Sequence, residues 1–123
     1  MNTNQIARIF EAMASPIRLE IYRLLVTAEP AGKVAGQIAS QLEIPPSNLS
    51  FHLKALVAVD LLIVAQEGRF LRYRANLSLM DSVIWYLTSE CCQGVPERCG
   101  RCAAPLLPIT LVQAQPIDDP PEG

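Results

Sequence analysis

Cys91, Cys92, Cys99 and Cys102 are the only cysteines of the chain, and Gly94, Pro96 and Gly100 lie among them. Thiols kept for packing would be spread through a core. Thiols gathered beside glycine and proline suit a loop that folds several sulfurs around one soft ion. Three other chemistries use the same residues. Four thiolates satisfy the tetrahedral preference of Zn(II), and Cys99-Gly100-Arg101-Cys102 has the Cys-x-x-Cys spacing of a zinc knuckle, which Cys91-Cys92 can complete. Thiols near Arg98 and Arg101 ionise and oxidise readily, which suits a redox switch. A dithiol oxidoreductase is the weakest reading. Such motifs open a helix in a βαβ setting, whereas here a proline-rich stretch follows. Nothing else in the chain has the pattern of a catalytic set, so it reads as a binding protein and not an enzyme.

A second constellation is polar. Ser47, Asn48, Ser50, His52 and Lys54 fall on one short segment, and Arg69, Arg72 and Arg74 on another. Small polar side chains at the start of a helix can meet phosphates and base edges in a DNA major groove. Lysine and arginine neutralise phosphate, with an affinity that falls steeply as salt rises. The plainer readings are that His52, the sole histidine, is a surface residue, and that the alternating arginines solvate an edge strand.

The elements that must position these residues follow from apolar spacing. Ile6, Ile9, Phe10 and Met13 predict a first helix over residues 5–14. Ser15-Pro16 is an N-cap followed by proline at the first helical position, and Ile17, Leu19, Ile21, Leu24 and Leu25 carry a second helix to about residue 27. Residues 29–32 form a turn, and a third helix follows over residues 34–42 with Val34, Ile38, Ala39 and Leu42 inward. Leu49, Leu53, Leu56 and Val57 form the stripe of a fourth helix over residues 47–59. Residues 61–66 and 70–75 read as strands joined at Glu67-Gly68-Arg69. Phe70, Arg72 and Arg74 share one face of the second strand, and Leu71 and Tyr73 the other. Ser78 with Asp81 suggests a capping box for a fifth helix reaching about residue 90, with Leu79, Met80, Val83, Ile84 and Leu87 apolar. The fold class is mainly α with a small β-hairpin: helix, short turn, helix and an arginine-bearing hairpin are the order of a winged helix-turn-helix.

At 123 residues this is one domain with a tail, and a core this small gains from dimerisation. The expected divisions are residues 1–90 for DNA binding and dimerisation, 91–104 for the cysteine segment, and 105–123 for an irregular tail rich in proline and ending acidic. A net charge of −2 speaks weakly against nucleic acid, but its distribution is uneven. Residues 1–75 carry eight Lys/Arg against six Asp/Glu, and residues 76–123 two against six, so a basic face can stand beside an acidic tail. No apolar run reaches membrane-span length, and the first residues lack the pattern of a secretion signal. The expectation is a cytoplasmic protein with reduced thiols and no membrane partner.

The chain resembles the ArsR family of metalloregulatory repressors. The resemblance is carried by Ala14-Ser15-Pro16-Ile17-Arg18-Leu19, by Ser47-Asn48-Leu49-Ser50-Phe51-His52-Leu53-Lys54-Ala55-Leu56 as the recognition helix, and by Glu67-Gly68-Arg69-Phe70-Leu71-Arg72-Tyr73 as the wing. It covers about residues 5–90. It implies a homodimeric repressor on double-stranded operator DNA, dimerised through the first and last helices, with Ile6, Ile9, Phe10, Val83, Ile84 and Leu87 at the interface. The family commonly has arginine where Phe51 stands, which removes one expected DNA contact.

The resemblance also bears on the ligand. One family site is a Cys-x-Cys pair in the helix before the recognition helix, but Lys33-Val34-Ala35-Gly36-Gln37-Ile38 holds no thiol. Another is an Asp/His zinc site on the last helix; Asp81 matches its acid, but Val83 replaces its histidine. What remains resembles arsenite sensors whose thiols follow the last helix, as Cys91, Cys92 and Cys99 do. As(III) takes three thiolates in a pyramid, Sb(III) shares that chemistry, and Cys102 is then a spare or a fourth ligand. Zn(II), or another soft divalent ion such as Cd(II), remains the alternative ligand. No organic cofactor is expected.

Overall fold

Several helices among the described residues open at a side-chain cap or a proline. In the computed structural model, which describes residues 1–89, the Asn2 side chain accepts from Gln5 N at 2.9 Å while the Gln5 side chain accepts from Asn2 N at 2.8 Å. This reciprocal box opens α1 (Thr3–Met13). Ser15 Oγ accepts from Arg18 N, and Pro16 takes the first position of α2 (Pro16–Thr27), where a missing N–H costs nothing. The helices α3 (Ala35–Leu42) and α4 (Pro46–Ala58) are separated at Glu43, whose left-handed φ of 56° ends the first, and at Pro45, which precedes the second.

The wing is β2 (Leu62–Glu67) and β3 (Phe70–Ala75), antiparallel, with Gly68 at a φ of 64° in the tip. The hairpin is not alone. A two-residue strand β1 (Lys33–Val34) pairs with β3, Lys33 opposite Tyr73 and Val34 opposite Arg72, making a sheet in the order β1-β3-β2. The sequence reading placed Val34 inside the third helix. Two residues are too few to show a strand period, and only the free edge of β3 makes them one. The link into β1 turns at Gly32, with a φ of 73°. A Cβ there would overlap the Tyr73 carbonyl oxygen and lie 2.6 Å from Arg74 Cγ, so only glycine lets the two backbones approach.

The last helix among the described residues, α5, spans Leu77–Thr88. Its start differs from the expected Ser78–Asp81 box: Asn76, two residues earlier, accepts from Leu79 N at 3.2 Å and donates to the Asp60 carbonyl oxygen at 2.8 Å. The described residues 1–86 form one unit, and a second begins at Leu87 within α5.

The core of the first unit gathers Ile21, Leu25, Ile38, Leu49, Leu53, Leu56 and Leu61, all at 2% exposure or less. Ile6, Ile9 and Val83 belong to the same core. They are therefore packing residues of the single chain, where the sequence reading expected an interface. Of the apolar residues that carry α2, Ile17 and Leu19 are exposed, because the buried face of the helix is that of Ile21, Tyr22 and Leu25.

Candidate nucleic-acid interface

The buried stripe of α4 decides which of its residues face outward. Leu49, Leu53 and Leu56 anchor the helix, and Ser47, Asn48, Ser50, Phe51 and Lys54 are left exposed. No side chain caps α4, and its first intrahelical bond is Leu49 N to the Pro45 carbonyl oxygen at 2.9 Å. The amides of Ser47 and Asn48 precede that bond, so the helix offers donors and the positive end of its dipole where two small polar side chains stand. Asn48 and His52 are one turn apart and share a face.

His52 is half-buried. Its Nδ1 accepts from Arg18 Nε at 3.0 Å, and the Arg18 guanidinium stands 5.6 Å from the centre of the Phe51 ring. The Phe51 and His52 rings meet edge to face at 5.5 Å. Arg18 therefore joins α2 to the recognition segment, a role no spacing rule reveals, because the contact bridges residues 34 apart in sequence.

The wing arginines divide. Arg72 Nε donates to both oxygens of Glu67 at 3.0 and 2.9 Å, and its Nη1 reaches the carbonyl oxygens of Ala31 and Gly32 at 3.4 and 3.5 Å. It ties the wing to the turn before β1. Arg74 pairs with Glu29 at 2.8 Å, a bond that raises its already high pKa. Arg69, exposed next to the tip glycine, and Lys54 on α4 make no ion pair among the described residues. Of the four cations expected to meet phosphate, these two are unengaged. The pairing of Arg72 and Arg74 was not foreseen, although Glu67 five residues before Arg72 is a signal that could have found the first.

Outward apolar residues mark a second surface. Phe10 on α1 is 46% exposed, and Ile84 and Trp85 on α5 are 52% and 70% exposed. Thr3 Oγ1 and Tyr86 Oη, 2.6 Å apart, hold the two helices together.

No helix among the described residues is long and apolar enough to cross a membrane. Nor does any group of three or more His, Cys, Asp or Glu among them have the arrangement of a metal site. Val83, which stands where a zinc histidine was sought, is core, and Asp81 is exposed. Cys91, Cys92, Cys99 and Cys102 lie outside the described residues, as does the tail.

Residues 13–65 match the family model of a helix-turn-helix domain. Among curated proteins, the HTH-type transcriptional regulator CmtR of Mycobacterium tuberculosis is 36% identical over 73 residues, which is 59% of this chain and 59% of the relative. The chain thus spans about three-fifths of the length of the curated relatives it matches. Among solved structures, an ArsR-like transcriptional regulator from Rhodococcus sp. RHA1 is 25% identical and superposes with a TM-score of 0.61, covering 93% of this chain and 96% of that one. The homodimeric winged helix-turn-helix DNA-binding domain of Mb0332 from Mycobacterium bovis, described as a possible ArsR-family transcriptional regulator, shares the fold. It is 23% identical with a TM-score of 0.57, covering 75% of this chain and 85% of that one.

Proposed function

We propose that this chain, a winged helix-turn-helix protein of the ArsR type, is a homodimeric transcriptional repressor released from operator DNA when trivalent arsenic binds its cysteines. The observation that carries the DNA half is α4. It is a helix held by three buried leucines whose uncapped N-terminus presents Ser47, Asn48 and Ser50, with Lys54 behind them and Arg69 on an adjacent wing. Small polar groups and free amides at a helix start can meet base edges and phosphates, and the two unpaired cations add sequence-independent affinity. The outward Phe10, Ile84 and Trp85 supply apolar surface for a second protomer, whose recognition helix would reach a neighbouring turn of the same groove.

The ligand half rests on the donor set. Cys91, Cys92 and Cys99 supply three soft thiolates, the number As(III) takes, and Sb(III) would bind likewise; Cys102 adds a fourth sulfur. Deprotonated thiols bind the ion and release protons. Inducer and operator then oppose each other with a coupling of about 1–3 kcal/mol, and DNA must weaken inducer binding by the factor by which inducer weakens DNA binding. The Cys99-x-x-Cys102 spacing favours a second reading, a divalent-metal sensor that uses all four sulfurs around Zn(II).

The test is fluorescence anisotropy of the reduced protein on DNA from its own upstream region, titrated separately with arsenite and zinc. Stoichiometric arsenite is expected to release the DNA and zinc to leave it bound. The triple variant Cys91→Ser, Cys92→Ser, Cys99→Ser is expected to keep its DNA in arsenite. Release of DNA from that variant by arsenite would overturn the assignment, and release by zinc alone would move it to the four-sulfur sensor.

A further inference from the structure

The contact between α2 and the recognition helix has a consequence for what the helix can read. Arg18 is planted by its place in α2: its amide donates to Ser15 Oγ, and its Nη1 reaches the Ala12 carbonyl oxygen at 3.5 Å. Its Nε points across to α4 and donates to His52 Nδ1 at 3.0 Å. A guanidinium has five N–H donors and no acceptor. While this bond stands, Nδ1 cannot carry a proton, so the single proton of the neutral imidazole is on Nε2. The Phe51 ring reinforces the arrangement, lying under the guanidinium at 5.6 Å and edge-on to His52. His52 Nε2 makes no hydrogen bond within the described chain and is not a buried atom. It stands one turn beyond Asn48 on the outward side of α4.

We propose that Arg18 is a positioning residue for operator recognition: it locks His52 in the Nε2–H form, so that His52 presents a donor and reads a hydrogen-bond acceptor on the DNA, a purine N7, guanine O6 or thymine O4 in the major groove. The acceptor edges follow from groove chemistry, since a ring offering only a donor gains nothing from the amino groups of adenine or cytosine. This rests on the repressor reading above. Arg18 is not placed on the DNA itself. It acts through the tautomer of its neighbour.

Because His52 is the sole histidine, a protein labelled with nitrogen-15 histidine gives one pair of imidazole nitrogen signals. In the full-length protein at a pH where the ring is neutral, those signals are expected to report a protonated Nε2 and a bare Nδ1. Arg18→Met keeps length without a donor, and in it the two nitrogens are expected to average between tautomers. On operator DNA, Arg18→Met is expected to lose about tenfold in affinity, within the range of one base contact, with no change in salt slope. In a His52→Ala background the same substitution is expected to cost less than about twofold, as for residues acting through one contact. His52→Gln, which offers an amide N–H near the position of Nε2, is expected to keep most of the affinity. A wild-type ring protonated on Nδ1 overturns the proposal, and this reading stands even where Arg18→Met fails to fold. A loss of equal size in both backgrounds, with a salt slope lowered by about one, also overturns it and makes Arg18 a phosphate contact. Failure of the wild-type protein to bind operator at all, with the Nε2–H form intact, overturns the repressor reading and the proposed readout with it, while the Arg18–His52 lock remains.

Discussion

Tyr22 shows how a single buried group ties stability to pH. Its ring is 5% exposed, and its hydroxyl is buried without a hydrogen-bond partner. Burial, and then the negative charges of Asp81 and Glu29, push its pKa above the usual 10.0. A raised folded pKa means the native state favours the protonated phenol. The stability this confers is fully present below pH 10.0 and is lost as pH rises through the folded value. Burial pushes Tyr73 the same way. Tyr22→Phe is therefore expected to make the alkaline loss of stability shallower without abolishing it. At neutral pH it removes an unsatisfied buried hydroxyl and is expected to stabilise by about 1 kcal/mol. Urea unfolding at neutral and alkaline pH checks both. An unchanged alkaline limb would mean that the phenol does not titrate with unfolding.

At the scale of the element, the wing separates two arginines three residues apart, one in the hairpin tip and one on β3. Arg69 stands beside the exposed tip glycine without an ion pair, whereas Arg72 is spent on Glu67 and on the backbone of Ala31 and Gly32. Arg69→Ala is expected to weaken operator binding across all DNA sequences and to lower the salt slope by about one. Arg72→Ala is expected to leave the slope unchanged and instead to loosen the join between β1 and β3. Its stability cost should be about 1 kcal/mol, since a part-exposed ion pair contributes little beyond its backbone bonds. Anisotropy over a salt series and thermal unfolding of each variant distinguish the two. Equal salt slopes for both variants would remove Arg69 from the DNA contact.

At the scale of the whole molecule, large apolar side chains stand exposed on α5. Trp85 at 70% exposure and Ile84 at 52% are large apolar groups on a helix whose inward residue Val83 is only 2% exposed. An apolar surface of this kind is a mark of association. Trp85→Glu places a charge where the single fold buries little, so the protomer is expected to keep its helical content. For the proposed dimer, analytical ultracentrifugation is expected to show a shift from dimer to monomer, with operator affinity falling because the two recognition helices are no longer linked. A variant that stays dimeric would place the interface elsewhere.

The sequence by itself determined the order of the five helices and the hairpin, the buried stripe of the fourth helix and the outward Ser47, Asn48 and Ser50. Those follow from local apolar periodicity, caps and turn residues, which act over a few positions. It also singled out the cysteine segment by composition alone, and the described residues leave that expectation as it was. Only the tertiary structure decided the rest. Ile6, Ile9 and Val83 became core because one side of α1 and one side of α5 pack within the chain, and period alone does not say which side turns inward. Lys33-Val34 became a strand because β3 had a free edge, Arg72 was diverted to Glu67 by cross-strand proximity, and His52 was paired with Arg18 across two helices. Each of these depends on residues distant in sequence being brought within hydrogen-bonding reach, which no local pattern encodes.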